Sequence, residues 1–207
     1  MQTEPARPYL TLLHAFATQR NLRDPFAPLP EPAEAFTLVR DMPYGRSSRR
    51  DVRSTLREWR GTCSTKHEAL AAVFREWRLP TDLMACTQEL RWPDGLPMPP
   101  EVQPLFAEGP ILDVHNYLIV RAPQGRTVVD ATWPLSARAF GLTANDALVW
   151  GQDMRLACEP LQTWNVPVWM SVAAFKDQLL RERCTPQQLD RRDAFIDLLG
   201  RLLKGAT

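Results

Sequence analysis

Three residues in this chain combine types and settings that suit a thiol nucleophile: Cys63, His115 and Asp130. Cys63 stands in Arg-Gly-Thr-Cys-Ser-Thr-Lys-His-Glu-Ala-Leu, residues 60–70, where Gly61 stops one helical pattern and a second begins. A cysteine attacks as its thiolate, and the unpaired N–H groups and dipole at a helix start favour that charge. With Thr62 as N-cap, Cys63 takes the first helical position; with Thr65 and Glu68 as a capping box, it lies just before the first turn. Both frames leave the thiol at the positive end. Cys63 precedes Leu70 by two turns, so it falls on the core-facing stripe. A lone cysteine in such a place is most often a structural thiol, and chemistry there needs partners.

The partners lie on a predicted hairpin. A thiolate nucleophile is commonly activated by a histidine whose ring is fixed by a third group. Asp-Val-His-Asn-Tyr places His115 in mid-strand, and Val-Val-Asp-Ala-Thr-Trp places Asp130 on the next strand. Each is costly to bury alone and satisfies the other. Pairing Arg121 with Arg126 around Ala-Pro-Gln-Gly sets Tyr117 opposite Asp130 and His115 one diagonal step away, within reach. A bulge at Gly125 that paired Ala122 with Arg126 would turn the two to opposite faces. His67, four residues after Cys63, is a rival base on the same helical face but has no evident carboxylate partner. His14, on a distant amphipathic helix, reads as a packed or surface histidine.

The elements that must hold these residues follow from periodicity. Helices are expected over Tyr9–Gln19 and Ala33–Val39, and from a Ser48/Asp51 capping arrangement through Val52, Leu56 and Trp59. Leu70, Val73, Phe74 and Trp77 continue the Cys63 helix until Pro80. From Val114 the period becomes 2, giving the hairpin, with further strands expected at Met154–Cys158 and, at an edge because of Pro167, Val166–Val172. Thr185 as N-cap, Pro186 at the first position and Gly205 past the end bracket a C-terminal helix. Proline clusters at 24–32 and 92–110 predict ordered loops, the second able to wall a cleft. The expected class is α+β: N-terminal helices packed on an antiparallel β-sheet, then a C-terminal helix, in one domain over residues 1–207.

Composition narrows the function. Apolar residues at 44% and charged residues at 24% are ordinary for a globular chain. A net charge of +1 gives no electrostatic footprint for nucleic acid. No apolar run approaches a membrane span, and Met-Gln-Thr-Glu-Pro-Ala-Arg-Pro lacks a signal-peptide layout, so a cytoplasmic protein is expected. The four cysteines are too irregularly spaced for a zinc site and read as free thiols. The run Arg46, Arg49, Arg50, Arg53, Arg57 reads as a solvated helix face, with recognition of an acidic substrate as the alternative. The seven tryptophans suit a core or a cleft wall, with Trp133, three residues after Asp130, best placed for a cleft.

Gly-Thr-Cys-Ser-Thr-Lys-His at a helix start, Asp-Val-His-Asn-Tyr-Leu, and Val-Asp-Ala-Thr-Trp-Pro together resemble the Cys, His and Asp blocks of the transglutaminase-like superfamily, whose fold is related to papain. The likeness covers roughly residues 44–134. It implies a nucleophilic Cys63, a general base His115 and an orienting Asp130, with the Cys63 N–H as one oxyanion donor. The expected reaction is acyl transfer or amide hydrolysis through a thioester, on a peptide, protein or small amide. A non-catalytic relative that binds a peptide or protein is the alternative. Tyr44 and Trp133 are the candidate substrate contacts, and Tyr44 or Arg53 the candidate second oxyanion donor. No acidic cluster like that of the calcium-dependent members is present, so no metal or cofactor is implied.

Overall fold

The computed structural model describes residues 6–204. Both N-terminal helices open on proline, whose missing N–H costs nothing in a first turn: α1 (Pro8–Thr18) and α2 (Pro32–Arg40). The next, α3 (Val52–Glu58), is capped by Asp51, which accepts the Ser54 N–H at 2.8 Å. The expected frame began at Ser48; instead Ser48 donates its N–H to Glu58 at 2.9 Å and folds the preceding loop back along the helix. Trp59 ends α3 in a left-handed conformation, and α4 (Cys63–Glu76) follows.

A ten-residue strand that periodicity did not reveal comes next, β1 (Thr81–Leu90). Its pattern is masked because Thr87 and Gln88 are polar yet buried. The 92–110 segment is a proline-rich connector holding a single short helix, α5 (Gln103–Phe106). The hairpin is β2 (Ile111–Ala122) and β3 (Gly125–Val129). Its register pairs Arg121 with Arg126, the frame that puts Asp130 within one diagonal step of His115. The turn closes one pair tighter than expected, on Pro123 and Gln124, with Gly125 at φ 128° supplying a backbone only glycine adopts readily.

Two expected strands are corrected. Residues 154–158 form no strand: Met154 donates to Val128 at 3.0 Å, and the segment then leaves the sheet. Residues 166–172 are not one either. The edge strand is β4 (Gln162–Asn165), Pro167 cannot extend a ladder, and Ser171 caps α6 (Val172–Arg181) by accepting the Ala174 N–H. The C-terminal helix, α7 (Pro186–Lys204), begins at the expected N-cap, which the structure extends to a box: Thr185 Oγ1 accepts from Gln188, and Gln188 Oε1 from Thr185. Gly205, expected past its end, lies outside the described residues, as do residues 1–5.

The class is α+β, with one antiparallel sheet ordered β3-β2-β1-β4. The strand residues Leu118, Val120 and Val129 pack with α1 to α4 in the largest core. A second core joins α7 to Ile111 and Trp133, and a third joins α6 to Ala85 and Val114. Burying roughly 1.5–3 kcal/mol of transfer energy per large side chain, these cores fix where α4 starts relative to β2. Among the described residues no helix is long and apolar enough to cross a membrane.

Candidate active site

The site begins with how α4 starts. Thr62 is the N-cap and its N–H is accepted by Thr65 Oγ1 at 3.2 Å, so Cys63 is the first helical residue and its own N–H has no partner within the helix. The Pro43–Gly45 segment is laced to Gly61 by two backbone bonds of 3.2 Å, which lands Tyr44 next to the helix start. Gly61 allows that approach. A Cβ there would sit 2.7 Å from Thr65 Oγ1 and 3.0 Å from Lys66 Cγ.

Three side chains of the first two turns moor α4 to the sheet. Ser64 donates to Asn116 on β2 at 2.7 Å. Lys66, fully buried, donates to the Thr132 carbonyl at 3.0 Å and the Arg40 carbonyl at 2.8 Å. His67 Nε2 accepts the Ala131 N–H at 2.8 Å, which β3 leaves unpaired by ending at Val129; its Nδ1–H therefore donates to the Cys63 carbonyl at 2.7 Å. Burial, only partly offset by Asp130, holds the His67 pKa down at about 4. With both nitrogens engaged and the ring neutral, His67 braces the start of α4 against the segment after β3, with Asp130 Oδ1 3.6 Å from its Nε2.

The expected pair on the hairpin meets. His115 Nε2 and Asp130 Oδ2 are 2.8 Å apart, each residue 2% exposed. Asp130 also accepts the N–H groups of Thr132 at 3.0 Å and Ala157 at 2.8 Å. Burial alone would raise the carboxyl, but the His115 charge and hydrogen bond outweigh it and hold it well below the usual range. Burial likewise favours neutral His115, yet Asp130 and then Cys63 push its pKa well above the ordinary value. The ring lies flat over Tyr117, centroids 6.3 Å apart.

A second cation stands at the sulfur that the sequence did not reveal. Lys176 of α6 is buried with Nζ 3.9 Å from Cys63 Sγ and 3.1 Å from Asp113 Oδ1, and it donates to the Val114 carbonyl. Asp113 is held in turn by Arg192 of α7 at 2.6 Å and Gln88 of β1 at 3.3 Å. The one available signal was Asp113 itself, an acid two residues before His115 on the same strand face. Burial raises the Cys63 thiol, but Lys176 first and His115 next bring its pKa down to about 7. Cys63 is 3% exposed.

Two cavities flank this cluster. One of about 390 Å³ is lined by Tyr44, Thr62, Ser64, Lys176, Arg50 and Arg192, among others. The other, about 400 Å³ and mostly apolar, is lined by Trp133, Trp92, Phe140, Leu161 and Phe195. The rings of Tyr44 and Trp133, 4.5 Å apart, stand between them, so these two candidate contacts address different cavities. Arg53 is not at the sulfur: its guanidinium lies over Tyr9 of α1, 5.9 Å from the ring centre. Of the arginine run, Arg53 and Arg57 do lie on the exposed face of α3, but the first three stand before the helix. Arg46 and Arg50 precede α3 and pair with Asp193 of α7 at 2.6 Å and Asp177 of α6 at 2.8 Å, pinning the loop beside the cavity. Among the described residues no group of three or more His, Cys, Asp or Glu could hold a metal ion.

No protein-family model matches the chain, and neither a curated protein nor a solved structure is significantly similar to it.

Proposed function

We propose that the protein is a thiol-dependent enzyme that transfers or hydrolyses acyl groups of amides, with Cys63 as nucleophile, His115 as acid and base, and Asp130 orienting the ring, in the manner of the transglutaminase-like, papain-related enzymes. The observation that carries this reading is the buried 2.8 Å bond between His115 and Asp130, close to a thiol at the first position of a helix. The sulfur attacks the amide carbon. The oxyanion that forms is met by the Cys63 N–H, unpaired at the helix start, with Tyr44 and Lys176 close by to assist. His115, protonated in the resting pair, gives its proton to the departing amine, and a thioester remains. Water or a second amine, deprotonated by His115, then attacks the thioester and frees Cys63. Asp130 stays ionised throughout and fixes the ring's orientation.

The second reading, a module that binds a peptide without turnover, is favoured by one observation: Cys63 is only 3% exposed, so a substrate must enter through a neighbouring cavity. Iodoacetamide separates the two. An active thiol is labelled near neutral pH at Cys63 much faster than at Cys86, Cys158 or Cys184. Turnover of glutamine-containing peptides or small amides by the wild type, absent from Cys63→Ala, completes the case. Slow, equal labelling of all four thiols with no turnover would leave only the binding module.

A further inference from the structure

We propose that Cys86 and Cys158 are a peroxide-oxidisable pair whose disulfide fastens the segment holding Asp130. The two are thiols with sulfur atoms 3.8 Å apart. A disulfide needs a separation of about 2 Å, so side-chain rotation and a slight backbone shift bring the sulfurs together. They are also the two cysteines that touch the site's supports from opposite sides. Cys86 is directly opposite His115 in the β1–β2 register. Cys158 follows Ala157, whose N–H donates to Asp130 Oδ2. The segment carrying Cys158 belongs to no strand; it is held by Met154 to Val128, Arg155 to Asn145 at 3.2 Å and Ala157 to Asp130, so a covalent tie would add what the sheet does not supply.

Access differs between the partners. Cys86 is fully buried, whereas Cys158 is half-buried and lines the apolar cavity of about 400 Å³, wide enough to admit hydrogen peroxide. Cys158, the partner that faces the cavity, therefore meets the peroxide, and Cys86, 3.8 Å behind it, is placed to resolve the product. The Cys158 thiolate attacks one peroxide oxygen and the O–O bond breaks. The departing hydroxide takes up the proton released by the thiol, giving water and a sulfenic acid. Cys86 sulfur then attacks the sulfenic sulfur, the S–O bond breaks, and hydroxide leaves with the Cys86 proton as a second water. Two thiols are oxidised to one disulfide as one peroxide is reduced to two waters. Cys184 lies in another cluster, beside α6, and serves as the internal control.

The bond does not depend on the acyl-transfer reading, so its test omits turnover. Cys63→Ser protein, which lacks the competing thiol at the site, is treated with hydrogen peroxide and analysed by intact mass, non-reducing peptide mapping and thermal melting. The expected result is loss of two hydrogens, a peptide pair joining Cys86 to Cys158, a Tm raised by about 5 °C, and slower hydrogen exchange at the Ala157 amide. Cys158→Ser, half-buried and tolerant, should abolish all four changes even if Cys86→Ala does not fold. Mass gain by added oxygen without the linked peptide, or a link through Cys184, would overturn the pair. A link that leaves Ala157 exchange unchanged would overturn its effect on the Asp130 segment.

Discussion

At the scale of single residues, charge at the Cys63 sulfur is decided by what surrounds it. Burial opposes ionisation, and two cations reverse that: Lys176 at 3.9 Å and protonated His115. Alkylation of Cys63 should therefore rise about tenfold per pH unit below about 7 and level off above it, because only the thiolate reacts. Lys176→Met removes the larger favourable charge, and the midpoint should move up toward the ordinary 9.0; an unmoved midpoint would show that His115 alone sets it. Asp130→Asn should leave the fold but free the ring, lowering turnover roughly 10²- to 10⁴-fold as measured by kcat/KM on any amide the wild type accepts.

At the scale of elements, the start of α4 is the part built to tolerance. Gly61 has space for no side chain: the methyl of alanine would press on Thr65 Oγ1, the acceptor that closes the cap. Gly61→Ala should cost about 1–3 kcal/mol in urea unfolding and slow Cys63 alkylation, since the helix start must shift to accommodate it. The hairpin is equally exacting, because a slip of one residue would send His115 and Asp130 to opposite faces. His67 and Lys66 join the two elements, one through the Ala131 N–H and the other through the Thr132 carbonyl.

At the scale of the molecule, the last third of the chain is tied to the site through Asp113. This carboxylate receives Lys176 from α6 and Arg192 from α7, and those charges hold its pKa well below the ordinary 3.8 in spite of burial. Asp113→Asn would leave buried Lys176 without its carboxylate and Arg192 with Asp193 alone, and a loss of about 3–5 kcal/mol in chemical denaturation is expected. The pH dependence has a fixed sign. Asp113 and Asp130 have folded pKa values below their unfolded ones, so the stability they add is present above about pH 4 and is lost as pH falls through and below 3.8. His67, lowered from 6.5 to about 4, acts earlier in the same direction: the native state binds its proton later, so stability declines as pH falls from about 6.5 toward 4. Thermal melting from pH 7 to pH 3 should show that two-stage decline, and His67→Gln should weaken the upper stage.

Local chemistry alone was enough to place Cys63 at a helix start, to form the hairpin and narrow it to two registers, and to set the cap of α7, because each depends on neighbours a few residues away: Thr62, the turn after Ala122, Thr185 with Gln188. Tertiary structure decided the rest. β1 went unseen because the centre of a sheet can bury Thr87 and Gln88 when distant partners satisfy them, and Gln88 finds Asp113. Residues 166–172 became a helix entry because β4 had already ended at Asn165. The Lys176 ammonium at the sulfur comes from a residue 113 positions away, and no pattern along the chain encodes an approach made only when α6 packs on β2.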